Sequence, residues 1–202
     1  MYNVHLGLTV CQDVQCELMA YPSKTDRKSI LAAALEQVES EGPESLAIRS
    51  VAAKLELAPN ALYRYFENLS ALELAVAEEV RSQMLEVMQK VIGRKGPSES
   101  IRAISEAYLH FAKERPRAFA LYLKNSDSQT QQCAKNTEFF VEQVTRVYGK
   151  ERAPMASHAL WAQIHGLAVL LGAGVLPWEE AHGRLKFGFK IWIDGACGFA
   201  KE

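Results

Sequence analysis

The side chains best equipped for chemistry gather between Leu46 and Phe66. There Arg49, Lys54, Asn60, Tyr63, Arg64 and Tyr65 alternate with the apolar Ile48, Val51, Ala52, Leu55, Leu57, Leu62 and Phe66. Guanidinium, ammonium, amide and phenol groups are donors for phosphate oxygens and base edges, the groups by which a protein holds a duplex and reads it. Outside this stretch the sequence offers no nucleophile with a positioned base, no metal-ligand spacing and no glycine-rich phosphate loop. Its histidines are dispersed at His5, His110, His158, His165 and His182. The expectation is therefore a recognition protein without catalysis, metal or cofactor. Cys11, Cys16, Cys133 and Cys197 are too scattered for a disulfide scaffold, which fits a reducing cytoplasm.

The whole chain carries a net charge of -1 over 202 residues, so no global field draws it to nucleic acid or to a membrane. Contact with a polyanion must come from a local patch, and Arg49, Lys54 and Arg64 against the single acid Glu56 supply a modest one. The longest apolar run, Leu167 to Leu176, is broken by Gly172 and Gly174 and falls short of the roughly 20 residues that span a bilayer. No membrane partner is expected. Residues 1–18 lack a secretory pattern, and Met19 opens a polar arm, so residues 1–22 read as an extension or arm and Met19 as a candidate translation start.

The elements that must position the polar set are helices. Ile30, Leu31, Ala34, Leu35 and Val38 form one apolar stripe that ends near Gly42-Pro43. Ile48 to Leu55 and Leu62 to Phe66 predict two further short helices. The stretch from Leu69 to about Gly93 is rich in Ala, Leu, Glu and Val, contains no proline, and predicts a long one. Helices follow at about 98–114, 116–124, 129–148, 153–175 and 178–200, with Pro97, Pro116, Pro154 and Pro177 at or near their starts. The fold class is all-α. It comprises a three-helix N-terminal domain over 23–70 and a helical bundle over 71–202.

Paired short amphipathic helices with outward donors are the geometry of a helix-turn-helix. The segment from Arg27 to Leu74, with Arg-Lys-Ser-Ile-Leu-Ala-Ala-Ala and then Ala-Leu-Tyr-Arg-Tyr-Phe-Glu-Asn, resembles the DNA-binding domain of the TetR family. The resemblance implies double-stranded operator DNA as a partner. It also implies base or buttressing contacts from Arg49, Asn60 and Arg64, and phosphate clamping by Tyr63 and Tyr65. Lys54 belongs to the same outward set. Several positions depart from the family pattern. Leu69 stands where a phosphate-anchoring lysine is usual, Ala47 and Ala58 where polar caps are usual, and Glu56 where a turn glycine is common. A missing cap costs on the order of 1 kcal/mol, and Glu56 has to take a left-handed turn without glycine's freedom. The same cluster of short helices also suits an ordinary bundle with solvated arginines. Lys24, Arg27 and Lys28, just before helix 1, are candidates for flanking phosphates.

In the second domain, Trp161 and His165-Gly166 resemble the Trp/His-Gly pattern of one subgroup of TetR-like C-terminal domains. Trp161 and His165 are four apart and share a helix face. Both a core role for His165 and a ligand role are open. Tyr108, Phe111, Phe119, Tyr122, Phe139, Phe140 and Trp161 recur at helical spacing. Of these, Tyr108, Phe111, Tyr122 and Trp161, with His165, are the candidate lining of a small-molecule effector site. Polar anchors look sparse, which points to an apolar or aromatic effector. Leu160 to Leu171 and Leu185 to Phe199, with Gly166, Gly188, Gly195 and Ala196, suit close helix approach. The resemblance makes these helices the seam of a homodimer. A protein with this fold that binds ligands or partners but has weak or lost DNA affinity is the alternative.

Overall fold

A computed structural model describes residues 25–125 and 130–199, and among these every regular element is helical. The arm and extension expected over residues 1–22, and Lys24, lie outside the described residues. Helix α1 (Arg27–Glu41) starts because the Asp26 carboxylate accepts the Ser29 N–H at 2.7 Å. That bond also holds the Asp26 carboxyl below its usual pKa. Ile30, Ala33, Ala34, Leu35 and Val38 form its buried stripe. Gly42 ends it at φ 99°, returning its N–H to the Val38 carbonyl at 2.8 Å.

After a 3-10 turn at Pro43–Ser45 come α2 (Ile48–Lys54) and α3 (Pro59–Leu62). Ala47 and Ala58 occupy their N-caps with no side-chain hydrogen bond, as their residue type requires. Between the two helices Glu56 takes φ 54°, the one non-glycine residue at positive φ among the described residues. Its N–H reaches the Ala53 carbonyl at 3.1 Å, and the Leu57 N–H reaches the Ala52 carbonyl at 2.9 Å. This is the paired-bond helix stop that glycine usually serves. Ile48, Val51, Ala52, Leu62 and Phe66 are buried, while Leu55 and Leu57 pack half-exposed at the margin. The helix expected to run to Phe66 stops at Leu62, and a turn follows in which Tyr65 and Phe66 both donate to the Leu62 carbonyl.

Asn68 caps α4 (Leu69–Lys90) through the Ala71 N–H at 2.9 Å. Helices α5 (Pro97–Glu114), α6 (Pro116–Lys124), α7 (Gln131–Gly172) and α8 (Trp178–Phe199) complete the chain. Two helices were expected over 129–175. Gly149 breaks α7 at φ 74°, ψ 166°, between the two expected spans, and Pro154 sits near the start of the second limb. The buried apolar residues form one continuous core from Ile30 to Trp192. The expected boundary at residue 70 falls in the first turn of α4. Downstream of that turn, α4 buries Leu72, Val76, Val80, Met84 and Met88 in the shared core. Arg115 and Arg117 at the start of α6 add a polar tie to the end of α1. Arg115 pairs with Glu39 at 2.5 Å, and Arg117 donates to the carbonyls of Glu39 and Ser40. No helix among the described residues is long and apolar enough to cross a membrane.

Candidate functional site

Two places on the molecule gather the candidate functional residues, and the first is the outer face of α2, α3 and the turn after it. Val51, Ala52 and Leu62 are fully buried beneath that face, so the intervening residues must point out. Arg49, Asn60, Tyr63 and Arg64 are exposed, Tyr63 to 52%. No hydrogen bond or ion pair within the described chain holds any of the four. Lys54 is engaged more loosely, 3.6 Å from Glu36 on α1.

Tyr65 departs from the expected phosphate clamp. Its ring is half-buried and its hydroxyl donates to the Thr25 carbonyl at 2.8 Å. The phenol ties the chain preceding α1 to the turn after α3. Arg27 reinforces this tie. It donates to the Tyr65 carbonyl at 3.3 Å and lies 4.4 Å over the Phe66 ring. Leu69, at the position noted for its missing lysine, begins α4 at the surface.

The second place is a partly open cavity of about 330 Å³ lined by α4, α5, α6 and both limbs of α7, within the size range of small-molecule sites. Of the expected lining residues, Tyr108, Tyr122 and Trp161 are in its wall. Phe111 and His165 are not. Phe111 faces the core with the Arg115 guanidinium 5.0 Å from its ring. His165 stands behind the wall, stacked on Trp161 at 4.5 Å and sharing a 2.8 Å hydrogen bond between its Nδ1 and the Tyr108 hydroxyl. Burial holds the His165 imidazole below its usual pKa. Burial, followed by the neighbouring Tyr122 phenol, pushes Tyr108 well above the usual tyrosine value, and burial raises Tyr122 too. Both phenols are therefore neutral at physiological pH.

The mostly apolar wall also holds polar residues beyond the expected lining. Arg81, Ser105, Asn136, Thr137, Ser157, His158 and the free thiol Cys133 all contribute to the wall. Arg81 is the largest of them and is only 2% exposed. It donates to Glu78, to the Thr130 hydroxyl at 3.4 Å and to the Asn125 carbonyl at 2.7 Å, and lies 5.2 Å over the Tyr122 ring. It thereby joins α4 to the end of α6 and the start of α7. Arg81 had a readable signal. It occupies the register of Ala77, Met84 and Met88, a cation on a buried stripe. Ser157 likewise shares the stripe of Ala153, Leu160 and Ile164.

Farther along, α7 and α8 leave Met155, Val169, Leu170, Phe187 and Ile191 exposed. A Cβ on Gly188 would stand 1.4 Å from Gln163 Nε2, so this glycine admits the Gln163 amide onto α8. One on Gly166 would meet nothing within 4 Å, so no neighbour within the described chain requires glycine there.

Residues 30–76 match the family model for bacterial regulatory proteins of the tetR family, and residues 101–185 match one for a tetracyclin repressor-like C-terminal domain. An uncharacterised HTH-type transcriptional regulator of Mycobacterium tuberculosis is 26% identical over 164 residues, 78% of this chain and 75% of the relative. One of Bacillus subtilis is 26% identical over 175 residues, 84% and 91% of the two chains. Among solved structures, a Rhodococcus protein of unknown function superposes with a TM-score of 0.71 at 19% identity, over 90% of this chain and 98% of that one. A TetR variant from Acinetobacter baumannii, solved in complex with minocycline, gives 0.66 at 20% identity, over 85% and 96%.

Proposed function

Because this chain belongs to the TetR family of helix-turn-helix transcriptional regulators, we propose that it acts in the cytoplasm as a homodimeric repressor. In this reading it binds a palindromic operator and is released by a small, largely apolar effector held in the α4–α7 cavity. The observation that carries the proposal is the outer face of α2 and α3, where Arg49, Asn60, Tyr63 and Arg64 are exposed and have no partner within the described chain. Such donors are available to phosphates and base edges. Arg49 and Asn60 are assigned to base edges or their support, Tyr63 and Arg64 to the duplex beside them, and Lys54 to the backbone once it leaves Glu36.

Dimerisation supplies the spacing. Two recognition segments must meet grooves about 34 to 36 Å apart on one face of the duplex, and the exposed apolar residues of α7 and α8 are the natural seam. The effector then shifts an equilibrium between two separations of the recognition segments, which requires unequal affinity for the free and DNA-bound forms.

The test is selection of genomic fragments by the purified protein at low and physiological salt, with Arg49→Ala and Tyr63→Phe in parallel. Enrichment of a palindromic site that Arg49→Ala weakens is the expected result. A folded dimer that enriches nothing at low salt would instead favour the second reading, a ligand-binding protein without operator recognition. That reading draws on Leu69 at the start of α4 and the uncapped Ala47 and Ala58.

A further inference from the structure

The cavity wall is mostly apolar, contributed by Met84, Met88, Ile104, Phe140, Trp161 and Ile164. Several of its polar atoms are already engaged. The Ser105 hydroxyl donates to the Ile101 carbonyl at 2.8 Å, and that of Thr137 to the Cys133 carbonyl at 3.0 Å. Asn136 donates to the Arg81 carbonyl at 3.2 Å and accepts from Gln132 at 2.9 Å. Tyr108 is bonded to His165.

Ser157, 2% exposed, differs from these: its Oγ is buried and has no hydrogen-bond partner among the described residues. A buried hydroxyl in that state is costly, and a molecule that satisfies it gains accordingly. The charge count is equally constraining. Arg81 is the cation of the wall's buried part, and Glu78 already neutralises it from outside the cavity, with Thr130 donating to the same carboxylate at 2.5 Å. A second anion there would meet a guanidinium already taken and a carboxylate behind it.

From this geometry, and resting on the reading of the cavity as the effector site, we infer that the effector is an uncharged aromatic molecule. It carries an oxygen that hydrogen-bonds Ser157 Oγ, and a carboxylate of the same shape is excluded. The aromatic and thioether wall grips the ring system, and the oxygen fixes its orientation.

Three probes of one shape separate these elements: 2-acetylnaphthalene, with a ketone oxygen; 2-isopropylnaphthalene, without one; and 2-naphthoate, an anion. Each is titrated calorimetrically into the full-length protein and its Ser157→Ala variant. Removing an unpartnered hydroxyl leaves the fold intact, which a thermal melt checks. In the wild type the ketone binds about tenfold more tightly than the hydrocarbon, the scale of one net hydrogen bond, and the naphthoate binds weakest. Ser157→Ala removes the ketone's advantage and leaves the hydrocarbon unchanged. Bound ketone also slows alkylation of Cys133, followed by peptide mass spectrometry, because that thiol shares the wall.

Tightest binding by the naphthoate, equal binding of ketone and hydrocarbon, or a ketone advantage that survives Ser157→Ala would each overturn the inference while leaving the cavity an effector site. Binding without Cys133 protection places the probe elsewhere and overturns it as well. If no probe binds the folded wild-type protein, the effector-site reading itself falls.

Discussion

Arg49 and Arg64 stand on the α2–α3 surface without a partner among the described residues, whereas Arg81 on α4 is 2% exposed and donates to Glu78, Thr130 and Asn125. Arg49 and Arg81 lie on helices and Arg64 in the turn after α3, and their surroundings give them opposite work. A solvated guanidinium keeps its charge and donors available for a polyanion, at little cost to folding. A desolvated one has to be matched by its neighbours, so it fixes the elements that carry those neighbours. The α2–α3 face is thus made of groups the fold leaves unused. The cavity wall includes groups the fold has already used, Arg81 foremost, and among its buried polar atoms Ser157 Oγ is left without a partner among the described residues.

The sharpest way to break this contrast is by stability. Arg81→Met leaves the Asn125 carbonyl without its donor and Glu78 without its cation, and is expected to cost about 3 kcal/mol in chemical denaturation. Arg49→Met should change stability by less than about 0.5 kcal/mol. Similar losses for the two would mean that burial does not distinguish them.

Operator binding should show the reverse pattern. Arg49→Ala is expected to lose about 2 kcal/mol in anisotropy titrations on the selected site. Arg64→Ala, if its contact is a phosphate, should lower the salt slope by about one. An Arg49→Ala defect of the same size on the selected site and on unrelated sequences would assign Arg49 to the backbone instead.

A smaller effect tests the turn between α2 and α3. Glu56 holds φ 54° where glycine would be unstrained, so Glu56→Gly should raise stability by about 1 kcal/mol. A loss in its place would show that the glutamate side chain contributes more than its backbone strain removes.

The smallest effect concerns His165. Burial lowers its pKa, so below the ordinary histidine value of 6.5 the unfolded chain takes up a proton that the folded chain resists. Its contribution is complete above that value and is lost as pH falls toward the folded pKa. His165→Gln should flatten this part of the stability profile relative to the wild type. An unchanged difference between neutral and mildly acidic pH would assign the acid sensitivity to other groups.

The two regions also differ in how readily the sequence disclosed them. The faces of α2 and α3 are set by local periodicity. Burying Val51, Ala52 and Leu62 leaves Arg49, Asn60, Tyr63 and Arg64 no direction but outward, and all of this lies within one short segment. Tyr65 escaped the pattern because its partner, Thr25, comes from the chain before α1, brought close only by the folding of α1 against the turn. Phe111 and His165 shared the aromatic character of the true wall residues, but small rotations about their helix axes place them in the core or behind Tyr108.

From the sequence alone follow an all-helical chain, the start and stop of nearly every helix, the break near Gly149, the strained Glu56 turn and the outward recognition face. Each depends on residues within a few turns of one another, through capping, periodicity or proline and glycine geometry. Only the tertiary structure decided which side chains enclose the cavity and which polar atoms remain unpaired. Arg81 comes from α4, Tyr108 from α5, Tyr122 from α6 and Ser157 from the second limb of α7. Their meeting is fixed by how the helices pack, a non-local property that no single helix encodes.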